Sequence, residues 1–364
     1  MLVGLSACGG QPSSTGPSSQ AASSTSSSTE SPSAEAIQSA SASAQHTAPA
    51  VYFARAVNPE ALQTVFSAIG AGLSGNVGAK LSTGEPGGNH YLKADLISEL
   101  VNELNATIVE CNTAYGGGRS STDAHYQVAA DHGFTSITDF QIMDEDGSLP
   151  LPVEGGFHLS ENLVGAHFAD YDSCLVLSHF KGHMMAGFGG ALKNISIGMA
   201  SSEGKLLIHS AGESSTSWQS AATPDFLESM ADACKAVLAA QPNMLFVNVM
   251  NNLSVDCDCD SNPAPPKMAD IGILASADPI ALDQACVDLV YALPEESHKD
   301  LVERIETRHG LRQLSYMKEM NMGNDRYILV DLDHDKKVVT AAEAVEGISG
   351  GWVPDEYNVT KIKA

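Results

Sequence analysis

"VYFARAVNPEALQTVF", Val51–Phe66, holds one complete strand-to-helix unit. "VYFAR" is a β-branched and aromatic run of strand type. Asn58 then supplies a helix cap and Pro59 a φ already set for the first turn, while Leu62, Val65 and Phe66, with Ile69 beyond, recur at helical spacing. The alternation continues along the chain. Strands are expected at Val77–Leu81, Thr107–Cys111, Ser173–Leu177, Leu206–His209, Met244–Met250 and Ile271–Ala275. Helices are expected at Leu92–Leu104, from Thr223 and Pro224 through Ala240, and from Asp278 and Pro279 through Tyr291, the last two again opening on a cap residue and a proline. Alternating units of this kind predict an α/β fold, with mostly parallel sheets and flanking helices. The folded span, residues 50–333, has about 280 residues, enough to divide into two lobes around a cleft. Residues 334–364 read as a C-terminal tail. In such folds ligands bind beyond the carboxyl ends of the strands, so chemistry is sought in the loops that follow them.

Composition narrows the partners. The 364 residues carry 44 acids against 19 bases, a net charge of -25, which repels phosphate backbones and argues against nucleic acid. No apolar run reaches the roughly 18 residues that a spanning helix needs. The opening "MLVGLSACGG" resembles the lipobox of bacterial lipoproteins, with apolar Leu2–Leu5 and small residues ahead of Cys8. That resemblance implies that residues 1–7 are the remnant of a signal peptide and that Cys8 carries lipid. Contact with a membrane would then run through Cys8 only, at the outer side of the cell envelope. Residues 8–49 are serine-rich and almost without large apolar side chains, so they cannot bury enough surface to offset chain entropy and read as a disordered tether.

The chemistry concentrates in "SHFKGHMMAGFGGALKN", Ser178–Asn194, directly after the apolar run "CLVL". His179 and His183 are four apart, so on a helical turn both rings would face one point, with His209 and Lys193 as further members of the group. Gly189 and Gly190 permit close backbone approach, and the following turn would offer free N–H groups to an anion. A second cluster is "DCDCD", Asp256–Asp260, where Cys257 and Cys259 would point to one side of an extended chain as soft metal ligands or a redox pair. The remaining cysteines, Cys111, Cys174, Cys234 and Cys286, sit in apolar segments and read as small buried hydrophobes. A third group is Lys80, Glu85 and His90, with Arg119 and His125, in two Gly-rich loops after predicted strands. Lys80 and Arg119 suit a carboxylate or phosphate, so a small anionic molecule is the expected ligand. Asp278 has a sufficient role as a cap; Asp283 falls inside an apolar helix and wants a partner.

These blocks taken in order, "VGAKLSTGEPGGNHYL", "TAYGGGRSSTDAHYQVAADHGF", "LSHFKGHMMAGFGGALKNISIGMAS", "KLLIH" and "CDCDSNPAPPKMADIGILASADPIALDQACVDLV", resemble the domain-of-unknown-function 362 family over Val51–Asp333. Many members carry a ferredoxin-like insert after the position matching His209. Here the stretch from His209 to Met244 offers only Cys234, so no iron–sulfur cluster is expected. The loop is also similar, more remotely, to the active-site segment of the nickel-pincer lactate racemases. That resemblance implies His183 as catalytic base, Lys193 as the residue tethering the cofactor and His209 as nickel ligand. A protein exported unfolded cannot carry a cofactor assembled in the cytosol, so a divalent transition metal acquired outside the cell (nickel, zinc or iron), ligated by His179, His183 and His209, is the simpler expectation than the pincer nucleotide. Lys193, Gly189, Gly190, Lys80, Arg119 and His125 would line the cofactor or substrate. Three classes stay open: a racemase- or oxidoreductase-like enzyme of a small hydroxy acid, a non-catalytic lipoprotein that captures a metal or solute, and a thiol redox partner acting through Cys257 and Cys259.

Overall fold

The computed structural model describes residues 48–354 and Tyr357, so the lipobox, Cys8 and the serine-rich segment lie outside the described residues. The opening unit forms as its sequence dictates: β1 (Ala50–Ala54) leads to α1 (Pro59–Ala68), whose first turn is capped by the Asn58 side chain accepting from the Ala61 N–H at 2.8 Å. β2 (Val77–Lys80), α2 (Ala94–Glu103), β3 (Thr107–Glu110), α3 (Thr122–Asp131) and β4 (Phe140–Ile142) follow. Then come the hairpin β5 (Ser148–Pro152) and β6 (Glu161–Gly165), the strand β7 (Ser173–His179), and a second small hairpin, β8 (Lys181–His183) with β9 (Gly187–Gly189).

A short helical segment, Ala191–Gly198, precedes α4 (Ser202–His209) and α5 (Thr223–Ala240). The remaining elements are β10 (Met244–Met250), β11 (Gly272–Ser276), α6 (Pro279–Ala292), α7 (Glu295–Thr307), α8 (Arg312–Glu319), β12 (Ile328–Asp331), β13 (Lys337–Val339) and α9 (Ala341–Ala344). Among the described residues no helix is long and apolar enough to cross a membrane.

Nine strands join in one sheet, in the order β13-β12-β1-β11-β10-β7-β2-β3-β4. Every pairing is parallel except those of β11 with β1 and β10, and of β12 with β13. The described residues form one compact unit, with no division into two lobes among them. The sheet also continues past Asp333, through β13.

Strands β2, β7, β10 and β11 are buried along their whole length, as strands covered on both faces must be. Alternate residues of β7 divide between two cores. Cys174 and Val176 belong to the core that holds α5 and α6, whereas Leu175 and Leu177 belong to the core that holds α1 and α2. Each fully buried Leu or Val contributes about 1.5–3 kcal/mol, so this doubly covered sheet is the main source of stability.

Two local readings change. Leu206–His209 is helical, not a strand: Ser201 caps the helix by accepting from the Gly204 N–H, and its buried side is Gly204, Lys205, Ile208 and His209, with Leu206 and Leu207 half-buried. Thr223 lies inside α5 and gives it no side-chain cap; Pro224 alone marks the start. Asp278 does cap α6, accepting from the N–H groups of Ile280 and Ala281.

Candidate active site

The parallel strands direct four loops to one end of the sheet: those after β2, β3, β7 and β10. Between them and α4 lies an inner cavity of about 120 Å³, whose lining includes Lys193, His183, His209, Cys257, Cys259 and Arg119. That is room for about four waters or one small acid. His183, His209, Tyr115, Trp218 and both cysteines also line an outer vestibule of about 490 Å³, with Met184 and the Gly116–Gly118 loop at its edge.

Residues far apart in sequence thus converge, but not on the helical turn the spacing suggested. His179 ends β7 and His183 ends β8. Both ring nitrogens of His179 face oxygens, the Asp258 carboxylate at 3.0 Å and the Asn251 carbonyl at 2.6 Å, so it offers a metal no lone pair. It is a structural histidine. Lys181, which the sequence analysis left without a role, joins the same carboxylate at 2.5 Å.

The expected cationic clamp is also spent internally. Lys80 donates to Glu110 at 2.9 Å, to the Leu81 carbonyl at 2.6 Å and to Asn194 at 3.1 Å, which uses all three ammonium protons. Arg119 reaches Glu85 at 2.8 Å, Glu110 at 3.2 Å and the Tyr115 hydroxyl at 3.0 Å. Both side chains wall the cavity with neutralised charge. Burial alone would raise Glu110, but Lys80, His125 and Arg119 outweigh it and bring it down to about 2. His125 lies behind this network, between Thr83 at 2.9 Å and Asn112 at 3.4 Å, and is absent from the cavity lining. Desolvation lowers it to about 3, so it is neutral.

Gly189 and Gly190 are needed for space, and neither has a positive φ. A Cβ on Gly189 would stand 3.0 Å from the Lys193 stem, and one on Gly190 would stand 2.3 Å from Asp283. The helical turn after them does not present free N–H groups. Asp283, reaching over from α6, accepts from Ala191 and Leu192 at 2.8 and 2.9 Å and is held by Asn248 at 2.7 Å. The partner that Asp283 wanted is the backbone of this loop.

What faces the cavity without an ion pair to a carboxylate is a smaller set. Lys193 has no hydrogen-bond partner among the described residues, and its ammonium is held charged: burial would lower it, but the sulfurs of Cys257 and Cys259 more than offset that. His183 Nδ1 accepts the N–H of Ala186 at 2.9 Å, so in the neutral ring the proton sits on Nε2. Burial, then Lys193, keeps that ring below its ordinary pKa. His209 is the opposite tautomer. Its Nδ1 donates to the Lys205 carbonyl at 2.6 Å, which leaves the Nε2 lone pair without a partner among the described residues. Burial brings His209 down to about 4, and Trp218 and Phe226 stack against it at 4.7 and 4.8 Å.

The ligand atoms of His183, Cys257 and Cys259 lie within 4.8 Å of one another, and His209 stands outside that trio. The Cys259 thiol bonds to Cys257 and, with Lys193 and His183, depresses Cys257 well below the thiol range; the same bond raises Cys259. Sequence reasoning missed Glu110, Lys205, Tyr115 and Trp218. Glu110 was the most findable, as an acid closing an apolar strand, "TIVE", at its carboxyl end.

Comparison with known proteins agrees with the sequence blocks. The model of a family described as a domain of unknown function, DUF362, matches residues 77–288, more than half of the chain. No curated protein matches. Similar solved structures include the lactate racemase apoprotein from Thermoanaerobacterium thermosaccharolyticum, at 12% identity over 86% of this chain and 94% of that one, with a TM-score of 0.39. A protein from Thermotoga maritima is similar at 11% identity over 69% of this chain and 58% of that one, with a TM-score of 0.37.

Proposed function

This chain belongs to the DUF362 family, and we propose that it is an acid–base enzyme of the racemase or oxidoreductase kind, acting on a small hydroxy acid in the inner cavity. The observation that carries the proposal is Lys193, the cavity cation whose charge is spent on no carboxylate or carbonyl among the described residues. It would hold the substrate carboxylate as a point charge. The two histidines around it have opposite tautomers. His183, whose Nε2 proton rests on the Cys257 sulfur, would turn that proton to the substrate as donor, and His209, with a lone pair on Nε2, serves as acceptor. This exchanges the roles implied by resemblance, under which His183 was the base. Tyr115 and Trp218 narrow the way in and limit water.

The residues also suit the cofactor that the racemase resemblance implies: Lys193, once its ammonium gave up a proton, would form the covalent tether, and the His209 lone pair would hold a metal in place of accepting a proton. A pincer-type group bound there would supply a hydride acceptor. The hydroxy-acid class rests on the order His183, Lys193, His209 in the sequence. An extracytoplasmic protein held by lipid on Cys8 remains part of the proposal, and would be tested by release of a Cys8→Ala variant from membranes.

The deciding experiment is intact-mass and elemental analysis of protein purified from its native envelope, with chiral chromatography after incubation with single enantiomers of small 2-hydroxy acids. Enantiomer interconversion is expected, and Lys193→Ala should reduce it at least ~100-fold while also removing any adduct mass. A bare polypeptide mass, no metal and no turnover would overturn the proposal.

A further inference from the structure

The backbone of the turn that carries Cys257 and Cys259 is fixed by its neighbours, and the Cys257 sulfur accepts the Cys259 N–H at 3.3 Å within the turn. The Gly182 N–H donates to the Ser254 carbonyl at 2.8 Å, and a Cβ on Gly182 would fall 2.3 Å from the Val255 oxygen, so β8 lies directly against the turn. Arg304 holds the Val255 carbonyl at 2.7 Å and Asp256 at 3.1 Å. The Glu85 N–H reaches the Asp258 carbonyl at 2.8 Å, and the Asp260 N–H reaches the Cys257 carbonyl at 2.9 Å. Asp258, between the cysteines, is turned the other way and buried against His179 and Lys181. The intervening carboxylate anchors the turn, and both sulfurs are left on the cavity wall.

We propose that Cys257 and Cys259 are the two thiolate ligands of a single thiophilic divalent ion, of the zinc or nickel class, with its remaining positions open to the cavity. Two sulfurs one residue apart, held on one side of a rigid turn, fit adjacent corners of a tetrahedral site. The third nearby group, His183, stays outside the coordination sphere. Its Nδ1 lone pair is taken by the Ala186 N–H, so it keeps its Nε2 proton and donates to a sulfur. Binding expels the proton that Cys259 shares with Cys257; no oxidant is involved. The other cluster with metal-ligating groups, His158, Asp225 and Glu228, is already committed, because Glu228 pairs with His158 at 2.9 Å and with Arg312 at 2.7 Å. The inference rests on the proposed function only in sharing its cavity.

The test is titration of the reduced full chain with Co²⁺ alone as a spectroscopic probe, then competition by Zn²⁺. One ion per chain with thiolate-to-metal absorption is expected, with that absorption lost or roughly halved in Cys257→Ser and Cys259→Ser and retained in His183→Gln. Since a serine variant could misfold, the unaltered protein supplies a second readout. Zn²⁺ should slow iodoacetamide labelling of Cys257 and Cys259 at least ~10-fold and leave the labelling of Cys111, Cys174, Cys234 and Cys286 unchanged. Metal retained in both serine variants, no protection, or a Cys257–Cys259 disulfide that forms as fast with Zn²⁺ as without it would overturn the inference. Metal binding without turnover defeats the proposed function alone; turnover by the unaltered reduced chain that takes up neither Co²⁺ nor Zn²⁺ at these cysteines defeats this inference alone.

Discussion

Glu110 decides how the cavity wall is charged. It is buried and ion-paired with both Lys80 and Arg119, two cations that are themselves buried. Removing its charge leaves two positive groups in a low-dielectric wall, which costs far more than the pairing itself gains. Glu110→Gln, equal in volume, is therefore expected to lower stability by about 3–5 kcal/mol in denaturant unfolding; a loss below about 1 kcal/mol would mean that Glu85 alone neutralises the pair. The same residue shows where sequence reasoning stops. Lys80, Arg119 and His179 were legible as polar groups at strand ends, but their partners lie 30, 34 and 79 positions away. No local pattern announces that a cation is already spoken for. The tautomers of His183 and His209 were equally hidden, since each is set by one backbone group that only the folded loop brings near.

At the scale of elements, β2, β3, β7, β10 and β11 were readable because strands buried on both faces are nearly continuous apolar runs, and β1 because its β-branched and aromatic residues alternate between half-buried and buried. Leu206–His209 misled for the same reason: four residues rich in Leu and Ile carry no period, and only the cap at Ser201 separates helix from strand. The small β8–β9 hairpin was not readable, being three residues long on each side and rich in glycine. Its position nonetheless depends on one of those glycines. Gly182→Ala would drive a methyl group into the Val255 carbonyl, and since neither backbone can yield alone, the cysteine turn should move. Faster iodoacetamide labelling of Cys257 and Cys259 is the expected outcome, at a stability cost of about 1–3 kcal/mol. Unchanged labelling would show that the turn is anchored by Asp258 and Arg304 alone.

For the whole molecule, pH tests the balance among its buried titratable groups. His125 and His209 have native values of about 3 and 4, against roughly 6.5 in the unfolded chain. Below pH 6.5 the unfolded state therefore takes up protons that the native state refuses, and stability falls as pH drops toward 4. Asp283 opposes this. Burial raises it to about 6, so it binds a proton in the native state first and favours folding over the same interval. Two histidines against one carboxylate leave a net loss of up to ~1.4 kcal/mol per pH unit, visible as a lower melting temperature at pH 5 than at pH 7; an unchanged or higher value would contradict the buried, neutral histidines. A last consequence follows from where the scarce positive charge sits. Acids exceed bases by 25, yet Lys80, Arg119, Lys181, Lys193 and Lys205, five of only 19 basic residues, surround one small chamber. Glu110, Glu85 and Asp258 neutralise three of the five, so under the proposed function the acidic surface would turn polyanions away while the charge left inside, on Lys193 and Lys205, would favour a compact monoanion that sheds its hydration.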